Sequence, residues 1–467
     1  MKTFSHFSRF NILRIPSRQR LAKLLFCLCL GVAAIGMIGC KTRQHEGFIA
    51  HEWGTFTSVQ GGDGILLDWR PLETTRLPKF VYNWTKPGLN RRAVGVLGFG
   101  KGSFVTLQRM ETPVIYFYTE KEQTVDLSVR FPKGLITEWY PQARKIGPST
   151  TAANPALAAL DDFMHKAGLQ PAFTFTSALG TPGVKESLVH WKGLQILPAD
   201  QNRNIGKQLS IDASGSHYFA ARETDAAFVR ASSLVRTNPL PEQEKFLFYR
   251  GVGSFATPLR VTMKSNREVT LENTAKENLA HLFLLNVQDH LGTFTYLEQL
   301  QPGEQRTIPI DTGNQAQPPD RLVTQLSNAM AAALVQEGLY RREAAAMVNT
   351  WKDSWFEEEG VRVLYVLPRA WTDRTLPMTI DPQPRELVRV MVGRAEIIPP
   401  DVEEELATQL AKVNQGDNQA RERVQTALKR LGRFAEPALQ RATRRTVINS
   451  AERNKLMAWL YDNSKAN

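Results

Sequence analysis

Cysteine is almost missing from this chain. Its 467 residues hold three, Cys27, Cys29 and Cys40, all within the first forty. That placement excludes a disulfide framework and thiolate chemistry for the rest of the chain, and leaves an apolar core to hold the fold. The first forty residues also hold no Asp or Glu. Long apolar runs are scarce: the one at 24–39 is too short and wrongly flanked for a transmembrane helix. The compact catalytic signatures are missing too. There is no Gly-x-Ser-x-Gly, no His-Glu-x-x-His and no zinc-type spacing of His and Cys. A Ser–His–Asp set assembled from distant residues would leave no such trace.

What the N-terminus does have is the layout of an export signal. Lys2, Arg9, Arg14, Arg18, Arg20 and Lys23 precede the apolar run, which closes on Met37-Ile38-Gly39-Cys40. Small residues before a cysteine at the end of such a run resemble a bacterial lipobox. The resemblance implies cleavage before Cys40, diacylglycerol on its thiol and an acylated amine. Two or three acyl chains anchor firmly where one would not. Lys41, not Asp, follows the cysteine, so the outer membrane is the expected destination. Removing the six basic residues of the signal lowers the formal charge from +12 to +6. That value suits contact with anionic lipid or glycan and, with the export signal, argues against nucleic acid as partner.

The remaining chain reads as mixed and mainly β. Residues 1–40 are the signal and 41–48 a polar tether. Residues 49–141 read as an N-terminal β-rich domain, with short strands between Gly/Pro turns. Within it, 124–131 alternates, with Val125, Leu127 and Val129 on one face. Residues 142–184 form a junction with a short helix expected at 156–166, opened by Asn154-Pro155. A second sandwich-like β domain spans 185–311, with strands expected at His217-Tyr-Phe-Ala-Ala-Arg222 and Arg306-Thr-Ile-Pro-Ile310 among others. An α/β unit follows at 320–399. Its second helix places Tyr340, Ala344, Met347, Val348, Trp351 and Trp355 on one face, so the tryptophans read as core. Residues 400–467 read as four short helices. Leu428-Lys-Arg-Leu-Gly, followed by Ala435-Glu-Pro-Ala-Leu439, resembles one HEAT-like hairpin, too few repeats for a solenoid. Residues 418–467 carry eleven Lys/Arg against four acids, best explained as a solvated basic face.

Two glycine runs imitate phosphate loops. In 95–103, Gly102 stands where a Walker loop needs Ser or Thr. In 251–256, Pro258 and a further strand follow where a dinucleotide site needs a helix. Both read as hairpin or bulge glycines.

The stretch richest in chemistry is His51-Glu52-Trp53-Gly-Thr-Phe-Thr-Ser58, closed by Gly61-Gly-Asp-Gly64. On a strand, His51 and Trp53 point one way and Glu52 the other, which weakens a simple acid–base pair. Three functional readings remain beside the plain one of hydrogen-bonded strand residues. Glu52 and Glu138 are candidate catalytic carboxylates of a hydrolase acting on cell-wall or polysaccharide substrates, which requires them to face one cleft. Trp53, Trp139 and Tyr140 are candidate aromatic platforms for a sugar. His51 is a candidate metal ligand, which requires at least two more ligands. No other cofactor is indicated.

His51-Glu-Trp-Gly-Thr-Phe-Thr-Ser58, Phe131-Pro-Lys-Gly-Leu-Ile-Thr-Glu-Trp-Tyr-Pro141, Phe246-Leu-Phe-Tyr-Arg-Gly-Val-Gly-Ser-Phe255, Met347-Val-Asn-Thr-Trp351 and Val392-Gly-Arg-Ala-Glu396 resemble a group of exported bacterial lipoproteins with no assigned activity. The resemblance spans about residues 50–400 and implies architecture, not chemistry. The expectation is a lipid-anchored envelope protein acting by binding or assembly, held to the membrane through Cys40 and meeting an envelope glycan or another envelope protein.

Overall fold

The computed structural model describes residues 47–69, 77–78, 80–83, 106–147, 187–211, 217–232, 241–310 and 316–464. Cys40 and its signal, the helix expected at 156–166 and the glycine run 95–103 lie outside them.

The strands are, in chain order, β1 (Ile49–Gly61), β2 (Tyr82–Asn83), β3 (Gln108–Tyr118), β4 (Gln123–Phe131), β5 (Gly134–Tyr140) and β6 (Lys145–Gly147). There follow β7 (Ser187–Leu197), β8 (Phe228–Ala231), β9 (Glu242–Glu244), β10 (Leu247–Gly253), β11 (Leu259–Ser265) and β12 (Glu268–Asn273). The last are β13 (Leu279–Gln288), β14 (Leu291–Leu300), β15 (Gln305–Pro309), β16 (Gly360–Leu367), β17 (Met378–Asp381) and β18 (Glu386–Ile398). The helices are α1 (Arg203–Ile211), α2 (Pro319–Gln336), α3 (Arg341–Lys352), α4 (Arg369–Thr375), α5 (Pro400–Val413), α6 (Asn418–Leu431), α7 (Ala435–Arg445) and α8 (Ser450–Ser464).

A nine-stranded sheet in the order β14-β13-β16-β18-β1-β3-β10-β5-β2 forms the middle layer. β1 and β18 run parallel over their whole length, and the other neighbours are antiparallel. All thirteen residues of β1 are buried, as expected of a strand covered on both faces. On one face Phe48, Ala50 and Phe56 pack with β4, β7 and β8 of a six-stranded sheet and with β11, β12 and β15 of a three-stranded one. On the other face Trp53, Tyr116, Leu364, Val390 and Val392 pack under α2, α3 and the π-helical turn Asp353–Glu357. The C-terminal helices form a third core cluster with Val59, Trp69 and Ile398.

The mixed, mainly β class with several sheets and a helical C-terminal end matches the sequence reading. β4 buries Val125, Leu127 and Val129, and Trp351 and Trp355 are core. β15 is an edge strand, and the 251–253 glycines sit at a bulge between β10 and its neighbours. The four C-terminal helices lie where their apolar patterns placed them. Three expectations change. Segments 49–141, 185–311 and 320–399 do not keep separate sheets, since all three supply strands to the nine-stranded one. Turn signals carry no information about hydrogen bonding between strands so far apart in sequence. Tyr340 is exposed, because α3 begins one residue after it. His217–Arg222 is a 3₁₀ turn, not a strand: Tyr218 and Ala221, three apart, are the residues it buries. Among the described residues no helix is long and apolar enough to cross a membrane.

Gly251 lies where β10 and β5 approach closely. A Cβ there would run into the Leu135 carbonyl oxygen. Gly251→Ala is expected to destabilise the fold by about 1–3 kcal/mol. A thermal midpoint equal to that of the wild type would contradict this packing.

Candidate functional site

β1 deals the residues of its motif to opposite faces. Glu52 points toward the smaller sheets, where the Tyr249 hydroxyl donates to Oε1 at 2.6 Å and Arg389 Nε donates to Oε2 at 2.6 Å. Arg389 reaches on to Asp373 at 2.8 Å. Burial works against the Arg389 charge, but Glu52 and Tyr249, with hydrogen bonds to Glu52 and Asp373, outweigh it and hold the guanidinium protonated. Burial, and then the neighbouring Glu52, raise the Tyr249 hydroxyl well above its usual range. With both oxygens occupied in the core, Glu52 is a tie between strands β1, β10 and β18.

His51 points to the helical face. Its Nδ1 lies 2.7 Å from Glu343 Oε2, in the first turn of α3, and the same oxygen accepts the Tyr340 backbone N–H at 3.3 Å. The ring packs against Tyr118 and Tyr340 at centroid distances of 5.1 and 4.6 Å. His51 Nε2 is buried and has no hydrogen-bond partner among the described residues. Among the described residues no group of three His, Cys, Asp or Glu converges as a metal would need. The pair pins α3 to the sheet.

The second motif divides in the same way. Trp139 is fully buried in the core between the sheets. Glu138 faces the helical side, where the Thr137 hydroxyl donates to it and Arg250 Nε lies 3.5 Å away. Glu52 and Glu138 therefore stand on opposite faces of one sheet and cannot share a substrate, which removes the paired-carboxylate hydrolase. Trp53 is fully buried beside Tyr116, so neither tryptophan is an open platform. Tyr140 is half-buried, with Phe80 at 4.7 Å and Tyr82 at 6.3 Å.

The sequence reading passed over a belt of charge on the helical face, at the seam between α2–α3 and the C-terminal helices. Arg362 Nε donates to Glu396 Oε2 at 3.1 Å, and Arg394 donates to the same oxygen through Nε at 3.1 Å and Nη2 at 2.7 Å. Arg394 Nη2 also reaches Glu358 at 2.7 Å. Arg433, beside α7, reaches Glu111 at 3.0 Å and Glu358 at 3.3 Å. Burial alone would raise the Glu111 carboxyl. Arg109, Arg433 and Arg394, with the Thr57 hydroxyl, outweigh it and bring it down to about 2. Charged residues inside the Val-rich strands 361–367 and 387–398 were the available signal, but a strand pattern does not say what covers a face.

Where this belt meets the exterior there is a cleft of about 260 Å³. Its walls are Val361 and Ile397 from neighbouring strands, Val402 of α5, and Ala427 and Leu431 of α6. Glu396 also lines it, and Asp289, Glu359, Glu405 and Arg430 add further charge. An apolar pocket with a few charged groups is the usual form of a ligand site.

No family model matches the chain, and no curated protein matches it. Among solved structures, the Fcho1 mu homology domain of Danio rerio with bound Eps15 peptide aligns at 6% identity and a TM-score of 0.27, covering 75% of this chain and 97% of that one. The yeast delta-COP-I mu-homology domain aligns at 8% identity and 0.25, covering 75% and 98%. At these TM-scores neither likeness carries an inference about this chain.

Two outcomes are expected. Arg389→Ala leaves the Glu52 charge bare in the core and should cost about 3–5 kcal/mol, whereas Glu52→Gln with Arg389→Met should cost less than that single change. Equal costs by denaturant titration would contradict the tie. Glu111 carries the second. Its carboxyl is near 2 in the fold against an ordinary 4.5, so its stabilisation is complete above pH 4.5 and is lost as pH falls toward 2. Arg433→Gln should shrink that acid-dependent loss, and unfolding curves across the same window that overlay those of the wild type would contradict it.

Proposed function

We propose that this chain is a lipid-anchored envelope protein that acts by binding or assembly. The observation that supports the binding part is the cleft beneath the C-terminal helices, where apolar walls and charged groups meet at the exterior. The chemistry-bearing residues of the two aromatic motifs support it from the other side: Glu52, Glu138 and His51 are engaged in holding strands and helices together. The anchoring part rests on the basic and apolar N-terminus and on Met37-Ile38-Gly39-Cys40. Acylated Cys40 attaches the folded part to the outer membrane through the tether 41–48. An envelope glycan or another envelope protein is the partner class.

Anchoring is checked in the producing cell. Cys40→Ser is expected to shift the chain from the membrane pellet to the soluble fraction and to abolish the acyl mass on its N-terminal peptide; a variant that stays with the membrane overturns it. For the binding reading, the chain from Lys41 onward is incubated with cell-wall glycan and with peptides. No released product is expected, and a product that disappears with Glu52→Gln would return the chain to the hydrolases.

A further inference from the structure

Among the described residues the end strands of the three sheets are short or engaged, with one exception. β2, β9 and β17 offer two, three and four residues. β15 has five, carries Arg306 and ends on Pro309. β11 is longer, but the Gly62 carbonyl accepts its Met263 N–H at 2.7 Å and Gln60 Oε1 accepts its Val261 N–H at 2.9 Å. Each of these devices keeps an edge from pairing with another chain. β14 has none of them. It ends the nine-stranded sheet, is ten residues long, pairs with β13 without a bulge, and holds no Pro and a single charge, Glu298.

The open part of this edge can be located. Gly292 exchanges both of its backbone hydrogen bonds with Gln317, at 3.0 and 2.8 Å, so it faces away from β13. Backbone groups turn to alternate sides along a strand, so those of Phe294, Tyr296, Glu298 and Leu300 face the same way. The Leu300 carbonyl accepts from the Asn273 side chain at 2.8 Å. Among the described residues no partner takes the outward N–H and C=O groups of Phe294, Tyr296 and Glu298. Apolar surface lies open along the same strand: Leu291 is 48% exposed and Tyr296 45%. His281 Nδ1, 2.8 Å from the Tyr296 hydroxyl, holds that ring at the edge.

We propose that this edge pairs with β14 of a second copy of the chain, antiparallel, across a two-fold axis perpendicular to the sheet. The occupant follows from self-complementarity. Such an axis keeps each face of the sheet on its own side, so even-numbered residues stand opposite even-numbered ones. The open groups of one copy then meet the open groups of the other, N–H to C=O. Like charges directly opposite would oppose pairing, but Glu298 faces its own copy only in the register centred on itself. Every other register within β14 sets it opposite a neutral residue. The two nine-stranded sheets continue as one. The proposal deepens the assembly part of the reading above, on which it rests for a role in the envelope. It makes no use of the cleft, so its failure leaves the binding part standing.

The test is sedimentation equilibrium of the chain from Lys41 onward, with amide hydrogen exchange over the same concentrations. The mass is expected to rise from one chain to two as concentration increases. Exchange in 291–300 should slow over that range, while β13, already paired on both sides, should not change. Glu298→Pro removes an outward N–H at an edge position that tolerates proline. It should weaken the dimer about tenfold, because the two-fold axis removes each bond twice. Tyr296→Lys keeps the backbone donor and sets like charges near the axis. It should also leave a monomer, and it carries the test should the proline variant not fold. A wild type that stays one chain at every concentration overturns the proposal. A dimer that shows no slowing in 291–300, or that survives both variants, overturns β14 as its interface. A monomer that binds a free peptide of sequence 291–300, with the same slowing, overturns the second copy in favour of a strand from another protein.

Discussion

The parallel pairing of β1 with β18 is the constraint on which the rest of the structure depends. Thirteen residues near the start of the folded part align one for one with thirteen that close the nine-stranded sheet, from Ile49 opposite Glu386 to Gly61 opposite Ile398. A parallel pair needs a crossover, and here it is nearly the whole chain. Everything between must be arranged around that seam: two smaller sheets on one face and the α2–α3 pair on the other. Because β1 is covered on both sides, a slip of one residue would exchange Glu52 and Phe56 with His51 and Trp53 between faces. Arg389 and Tyr249 on one side, and Glu343 on the other, accept only one of those registers.

Part of the charge in this protein is internal. Arg362 and Arg394 are buried, as is Glu396, and their contacts join β16, β18 and the turn after α3 to the C-terminal helices through Glu358 and Arg433. Such groups cost desolvation energy and return it only when every partner is in place. They fix how the layers meet more than they add to stability. The cleft arises where this lattice reaches the exterior. Its acidity is therefore a by-product of docking the helical end onto the sheet, which ties any role in binding to the integrity of that junction.

Much of the local structure was legible. The alternation of 124–131 marked a strand with one buried face, the 3.6-residue stripe through Met347 and Trp351 marked a buried helix face, and the helical patterns of 400–467 marked the helical end. The opposite orientation of His51 and Glu52 followed from strand geometry alone. The partners did not. Glu343 and Arg389 lie 292 and 337 residues from His51 and Glu52. His217–Arg222 misled because a short aromatic run has the same composition in a strand and in a 3₁₀ turn. Glu138 and Trp139 looked like a carboxylate beside a sugar platform, and only the packing of Trp139 between sheets shows otherwise.

The amino-acid sequence by itself determined the class of fold, the periodicity of most strands and helices, the helical C-terminal end, and the exclusion of a disulfide-based architecture. These follow from propensity, turn chemistry and cysteine placement, all local quantities. The tertiary structure decided which strands share a sheet, which motif carboxylates are held by guanidinium and hydroxyl donors, and where an acidic cleft opens. Each of those depends on contacts between residues hundreds of positions apart, set by which faces the two outer layers cover. A pattern of alternating side chains states that a strand has two faces, but it does not state what will lie upon them.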